Sequence, residues 1–214
     1  MKMLLPVLCL LLGLGSFISS AQSAPARKFS DPFERYLKSV GTNHRELSLQ
    51  RVAAECGVNI AQMKATYAVT PGDEWQPVTN LQKGLKSLDS DFYTTMEVWK
   101  SDNRVLAEMW PNSDDVGSEI RVLYCFNKGE LQFAEAIQWN EPVVQNANIK
   151  PWGYSRRWQR MAQGNIQQIR AVFVDEYERV ISKPKLDADD EESLRWSPPM
   201  GPLSDLKLPQ KMLQ

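Results

Sequence analysis

Four β-prone runs follow one another through the middle of the chain, at 92–100, 104–110, 119–126 and 131–139. They are joined by 101–103, 111–118 and 127–130, which are rich in turn residues such as Asp102, Asn103, Pro111, Asn127 and Gly129. A parallel neighbour needs a crossover of a dozen or more residues, so connections this short dictate antiparallel hairpins. The centre of the protein is therefore a meander.

The third run alternates, with Ile120, Val122, Tyr124 and Phe126 on one face and Arg121, Leu123 and Cys125 on the other. The second face is too apolar to stand in water, because Trp99, Leu106 and Trp110 join Leu123 and Cys125 there. A covering layer is required, and two helices that precede the meander are the candidates. In the first, Asp31 caps, Pro32 suits the opening turn, Phe33, Tyr36, Leu37 and Val40 recur at helical spacing, and Gly41 ends the segment. In the second, Asn43 and Glu46 have the spacing of a capping box and Leu49, Val52, Ala53 and Cys56 form one stripe. Gly57 stands where a left-handed C-cap belongs.

Residues 61–70 alternate as a half-buried strand does, with Ala61, Met63, Ala65, Tyr67 and Val69 against polar neighbours. Read as a helix, Arg51 through Met63 resembles the helix-turn-helix of DNA-binding repressors, with Gly57 in the turn. Residues 71–90 read as loops with one short element. Past Pro142 the sheet resumes at 155–162, turns at Gln163-Gly164-Asn165, and continues at 166–174 and 179–182, a helix being the rival reading for 166–182. From 183 to 214 the chain carries the acidic run Asp187, Asp189, Asp190, Glu191 and Glu192 and then Pro198, Pro199, Pro202 and Pro209. That composition predicts a largely extended or disordered tail, with Trp196 as the residue that would dock back.

The expected architecture is α+β: two N-terminal helices packed on a curved antiparallel β-meander of about six to eight strands, with an extended C-terminal tail. Residues 1–23 form a signal peptide, 24–182 a single α+β domain and 183–214 an acidic, Pro-rich extended tail. The signal reading rests on Lys2, an apolar run from Met3 to Ile18, and small residues at Ala21 and Ser23 that place the cut before Ala24. About 16 apolar residues fall short of the ~20 that span a bilayer, and no later stretch approaches that length. The mature chain is then exported and soluble. The absence of any Asn-x-Ser/Thr acceptor points to a bacterial periplasmic or secreted protein.

Export makes Cys56 and Cys125 a candidate disulfide, which would staple the second helix to the sheet. The alternative is a pair of buried thiols. A net charge of -1 offers no field for phosphate backbones, and an exported chain meets no chromosome, so nucleic acid is not an expected partner.

The single histidine, His44, excludes polyhistidine zinc sites, and no Gly-x-Ser-x-Gly segment supplies a triad serine. Phosphate-loop and dinucleotide glycine patterns are absent, so no cofactor is expected. The acidic run lacks the ligand spacing of a calcium loop, and no metal or catalytic residue is assigned. Glu97, Glu108 and Glu135 lie within predicted strands. They read as solvated acids or as cross-strand partners of Arg104 or Arg121.

The remaining candidate is Trp152, Tyr154, Arg156, Trp158 and Arg160. On a strand, Arg156, Trp158 and Arg160 share one face, where an arginine-flanked Trp can stack a sugar or grip an anionic headgroup. Cross-strand packing with snorkelling arginines explains the same residues. The function these features point to is a non-enzymatic binding or interaction protein of the cell envelope, acting through its sheet surface or tail on an envelope protein or an apolar or anionic ligand. Two alternatives stand beside it. One is a carrier or sensor of apolar ligands lined by Trp99, Trp110, Trp139 and Trp158. The other is a hydrolase of envelope polymers that joins two carboxylates in one cleft.

Overall fold

Among the described residues nine strands form one antiparallel sheet in the order β2-β1-β3-β4-β5-β6-β7-β8-β9, a meander in which only the first hairpin folds back to the outside. The computed structural model describes residues 42–71, 74–81, 84, 94–111, 118–140, 152–175 and 179–213. The strands are β1 (Thr66–Thr70), β2 (Gln76–Val78), β3 (Thr94–Ser101), β4 (Arg104–Trp110), β5 (Ser118–Asn127), β6 (Glu130–Asn140), β7 (Gly153–Arg160), β8 (Ile166–Val174) and β9 (Val180–Ile181). The expected six to eight strands become nine because Gln76–Val78, disguised by Pro77, pairs with β1 at the sheet's outer edge, where a missing N–H is tolerated. Residues 166–174 and 180–181 are strand, not helix.

Short turns set the register. Lys128 and Gly129 both take positive φ, 51° and 80°, which is the geometry a two-residue hairpin requires between β5 and β6. Alternation then sorts side chains onto two faces. Met96, Val98, Val105, Ala107, Met109, Ile120, Val122, Tyr124 and Phe126 share one buried cluster, and Trp99, Leu106, Leu123, Cys125 and Phe133 share the other.

The second cluster lies under α1 (Thr42–Cys56), whose Leu49, Val52, Ala53 and Cys56 pack onto β4 and β5. Cys56 and Cys125 are disulfide-bonded across this layer with Cα atoms 5.6 Å apart. At the end of α1 Gly57 takes φ +71°, its N–H reaches the Ala54 carbonyl, and the Val58 N–H reaches back to Ala53, a Schellman motif. The helix starts at Thr42, so Asn43 and His44 fall in its first turn. The expected helix over 31–41, the signal segment and the side chains of Asn43, His44 and Glu46 lie outside the described residues. Residues 59–63 are turns and the strand begins at Thr66, so no second helix of a helix-turn-helix forms.

The expectation for 183–214 needs correction. The acidic run folds into α2 (Ala188–Ser193), where Asp187 and Asp190 make a reciprocal capping box and acids in the first turn favour the helix dipole. Beyond it the chain crosses the other sheet face and buries Leu206, Leu208 and Met212, with Trp196, Met200, Leu203 and Leu213 packed beside them. The physical reason is the apolar face of β3–β7, which no composition rule applied to the tail alone registers. Trp196 does dock back, and it does so in the company of six other apolar residues rather than alone.

Candidate functional site

Trp152, Tyr154, Arg156, Trp158 and Arg160 all lie on β7 or directly before it, and the chain itself engages each of them. Trp152 meets the edge of Phe173 at 5.5 Å and Tyr154 tilts against the same ring at 5.0 Å. Trp158 is part of the buried cluster. Arg160 donates to the carbonyls of Leu131 and Gly164, at 2.7 and 2.9 Å, and pairs with Glu130. The Arg156 guanidinium sits 5.1 Å from the Tyr154 ring and 5.3 Å from Trp158, and donates to the carbonyls of Leu194 and Trp196. Arg156 and Trp158 thus support the C-terminal segment, whereas Trp152, Tyr154 and Arg160 are engaged by neighbouring strands and turns.

The other face holds the polar residues that a sheet interior would not be expected to contain. Register places Tyr67, Glu97, Glu108, Leu123, Glu135, Arg157 and Arg170 in one row across seven strands, β1 to β8 with β2 left outside. Glu97, Glu108 and Glu135 are buried, which overturns the expectation that they are solvated. The helix α1 packs over β4 and β5 within this row and supplies Arg51 to Glu135 and Ser48 to Arg121. Arg121 Nε donates to Glu108 Oε1 at 2.7 Å, with Glu108 0% and Arg121 4% exposed. Arg121 Nη1 also donates to Ser48 Oγ, at 2.5 Å. Arg104, the other expected partner, instead donates to the Cys56 carbonyl at the end of α1.

Glu135 is held from two sides. Arg51 of α1 makes a bidentate pair with it, at 3.1 and 2.5 Å, and Arg157 of β7 donates to Oε1 at 2.6 Å. Arg157 extends the network to Glu55 and lies over the Phe133 ring. Burial pushes the Glu135 carboxyl up, but the hydrogen bonds and charges of Arg51 and Arg157 outweigh it and hold it below the ordinary carboxylate value. The Glu55 hydrogen bond, joined by Glu135 against the cost of burial, pushes the Arg157 guanidinium up. Both members of the pair are therefore ionised at neutral pH.

Between α1 and the β5–β8 strands opens a small, shallow cleft of about 30 Å³. Ser48, Arg51, Arg121, Glu135, Ser155 and Arg170 supply its polar lining, and Leu123 and Ile137 its apolar part. Arg170 donates to Ser155 Oγ at 3.0 Å, and among the described residues it has no carboxylate partner. Of the three guanidinium groups in the lining of the cleft, Arg51 is paired with Glu135 and Arg121 with Glu108, which leaves the charge of Arg170 unmatched by a carboxylate among the described residues. None of Trp99, Trp110, Trp139 and Trp158 lines it.

Among the described residues no group of three or more His, Cys, Asp or Glu side chains is placed to hold a metal ion. No helix there is long and apolar enough to cross a membrane. The sequence reading missed Ser48, Arg51, Ser155 and Arg170. A signal for two of them existed: Ser48, Arg51 and Glu55 run at helical spacing along the flank of the Leu49-Val52-Cys56 stripe, which places them at the rim of the helix–sheet contact. No protein-family model, curated protein or solved structure matches the chain.

Proposed function

We propose that this chain is an exported binding protein that holds a small anionic ligand, bearing a carboxylate or phosphate group, in the cleft between α1 and the sheet. The observation that carries this reading is Arg170, a guanidinium in the cleft lining that among the described residues meets the Ser155 hydroxyl and no carboxylate, while Arg51 and Arg121 line the same cleft from their own ion pairs. Guanidinium groups match the planar, bidentate acceptors of carboxylate and phosphate. Arg170 stands at the exposed rim, where it can meet an incoming anion, and Arg121 lies at the buried end beside Ser48. Ser48 and Ser155 add hydroxyl donors.

Binding fits this site better than hydrolysis. A carboxylate pair for glycoside chemistry needs one member protonated at working pH. Glu135 is clamped in its ionised form by two guanidiniums, and Glu108 is spent on Arg121. The apolar-carrier alternative needs its four tryptophans around one cavity. The sheet instead separates Trp158, in the cluster under the C-terminal segment, from Trp99 in the cluster under α1.

The test is a melting curve of the protein recovered from a bacterial periplasm, with inorganic phosphate or citrate against chloride at matched ionic strength. Ligand at roughly a hundred times its Kd stabilises by about 2.7 kcal/mol. For a chain of this length that is a rise of roughly 5–10 °C. Arg170→Ala should remove most of the rise while leaving the ligand-free melting point unchanged, since Arg170 is exposed. Equal shifts with chloride would refute the anion site.

A further inference from the structure

Besides its buried apolar side chains, the C-terminal segment is held on its sheet face through its own main chain. Gln138 Nε2 donates to the Ser193 carbonyl at 3.0 Å, Arg156 to the carbonyls of Leu194 and Trp196, Trp75 Nε1 to that of Leu206 at 2.8 Å and Lys100 to that of Leu213. Donors that read carbonyls are indifferent to side-chain identity, which is how grooves recognise extended polypeptides. Pro198, Pro199, Pro202 and Pro209 keep this segment from adding a regular strand. It lies on the sheet as a docked peptide does. The connection to it, α2, buries no residue, so lifting the segment costs no core contact there.

Two polar groups on the covered face are left wanting. Arg156 is 3% exposed, and among the described residues it has no carboxylate partner and its Nε makes no hydrogen bond. Burial pushes its guanidinium down, with Tyr154 working the other way. Tyr124 is fully buried between Ala107 and Ala134, its Oη without a hydrogen-bond partner among the described residues. The C-terminal segment meets Arg156 with two carbonyls, and Gln138 Oε1 adds a third acceptor, but among the described residues nothing brings a carboxylate to that buried charge or a partner to the Tyr124 hydroxyl.

We propose that the sheet face under residues 194–213 is a docking groove for an extended partner polypeptide, which the chain fills with its own C-terminal segment until a segment bringing a carboxylate to Arg156 displaces it. The partner's chemistry follows from the groove. It is extended, apolar at the positions that Trp196, Leu206, Leu208 and Met212 now fill, and acidic where it passes Arg156. This site lies on the opposite face from the anion cleft, so the two proposals stand or fall separately.

The probe is a fluorescent peptide of residues 193–214, its binding to the full chain followed by anisotropy. The full chain carrying Leu206→Asp and Met212→Asp, which frees the segment in cis, should bind it about tenfold or more tightly than the wild type does. Adding Arg156→Ala should weaken that binding by about tenfold, and Arg195→Glu in the peptide, between the two carbonyls that Arg156 holds, should strengthen it only while Arg156 is present. A released variant that stays folded and does not bind the peptide overturns the proposal. Should that variant fail to fold, hydrogen exchange of the wild type decides. Amides of 194–213 that exchange about a hundredfold faster than those of β4–β6 support displacement, and exchange only with global unfolding refutes it.

Discussion

At Glu135 the chemistry of one residue sets a pH dependence. Its carboxyl is held below the ordinary value of about 4.5 in the folded protein, chiefly by Arg51 and Arg157 acting against burial, so the unfolded chain binds the proton first as pH falls. Its contribution to stability is complete above pH ~4.5 and is lost as pH drops through the folded value. Glu135→Gln should therefore cost roughly 2 kcal/mol at pH 7, because it leaves two guanidiniums at a partly buried site with one partner fewer. The variant and the wild type should converge in acid. Urea unfolding at pH 7 and pH 3.5 measures both, and a constant difference would show that Glu135 acts through packing and not charge. The sequence marks Glu135 as a strand acid, but its partners, 84 and 22 residues away, belong to no local pattern.

At the scale of elements, α1 and its C-cap were the most legible part of the chain. Leu49, Val52, Ala53 and Cys56 carry the helical period, and Gly57 stops it by a conformation that other residues enter at a cost. A Cβ at Gly57 would stand 2.3 Å from Arg104 Nη1, the group that donates to the last helical carbonyl. Gly57→Ala should thus lose more than the left-handed strain of roughly 1–2 kcal/mol alone, since it also displaces the Arg104 cap. Gly57→Asn, which tolerates that conformation, should suffer the same clash, and chemical denaturation of both variants separates strain from contact. The strands were equally legible: 104–110 and 166–174 match β4 and β8 because their turns announce themselves. The edges carry their own protection. β2 holds Pro77, β9 has two residues, and the register of β7 with β8 leaves Ile169 as a bulge.

For the whole molecule, the disulfide ties the outer layer to the sheet over 69 residues of sequence, and the chain-entropy model gives it about 4 kcal/mol. Cys56→Ala with Cys125→Ala should lower the urea midpoint accordingly, and hydrogen exchange should then show α1 opening before β4–β6. Simultaneous loss of both layers would mean that packing alone couples them. Three layers result: α1, the sheet and the C-terminal segment. By itself, the sequence determined the period-two and period-3.6 elements, their hairpin order, which side of β5 faces which, and the pair of cysteines able to join helix to sheet, because each is set by neighbours in the chain or by alternation. Only the tertiary structure decided that 194–213 covers the first face, that Arg51, Arg121 and Arg170 converge on one cleft, and that Arg156 holds the chain's own carbonyls. Those outcomes depend on which surfaces remain unburied once the meander has closed, and residues distant in sequence meet there for reasons that no local pattern contains.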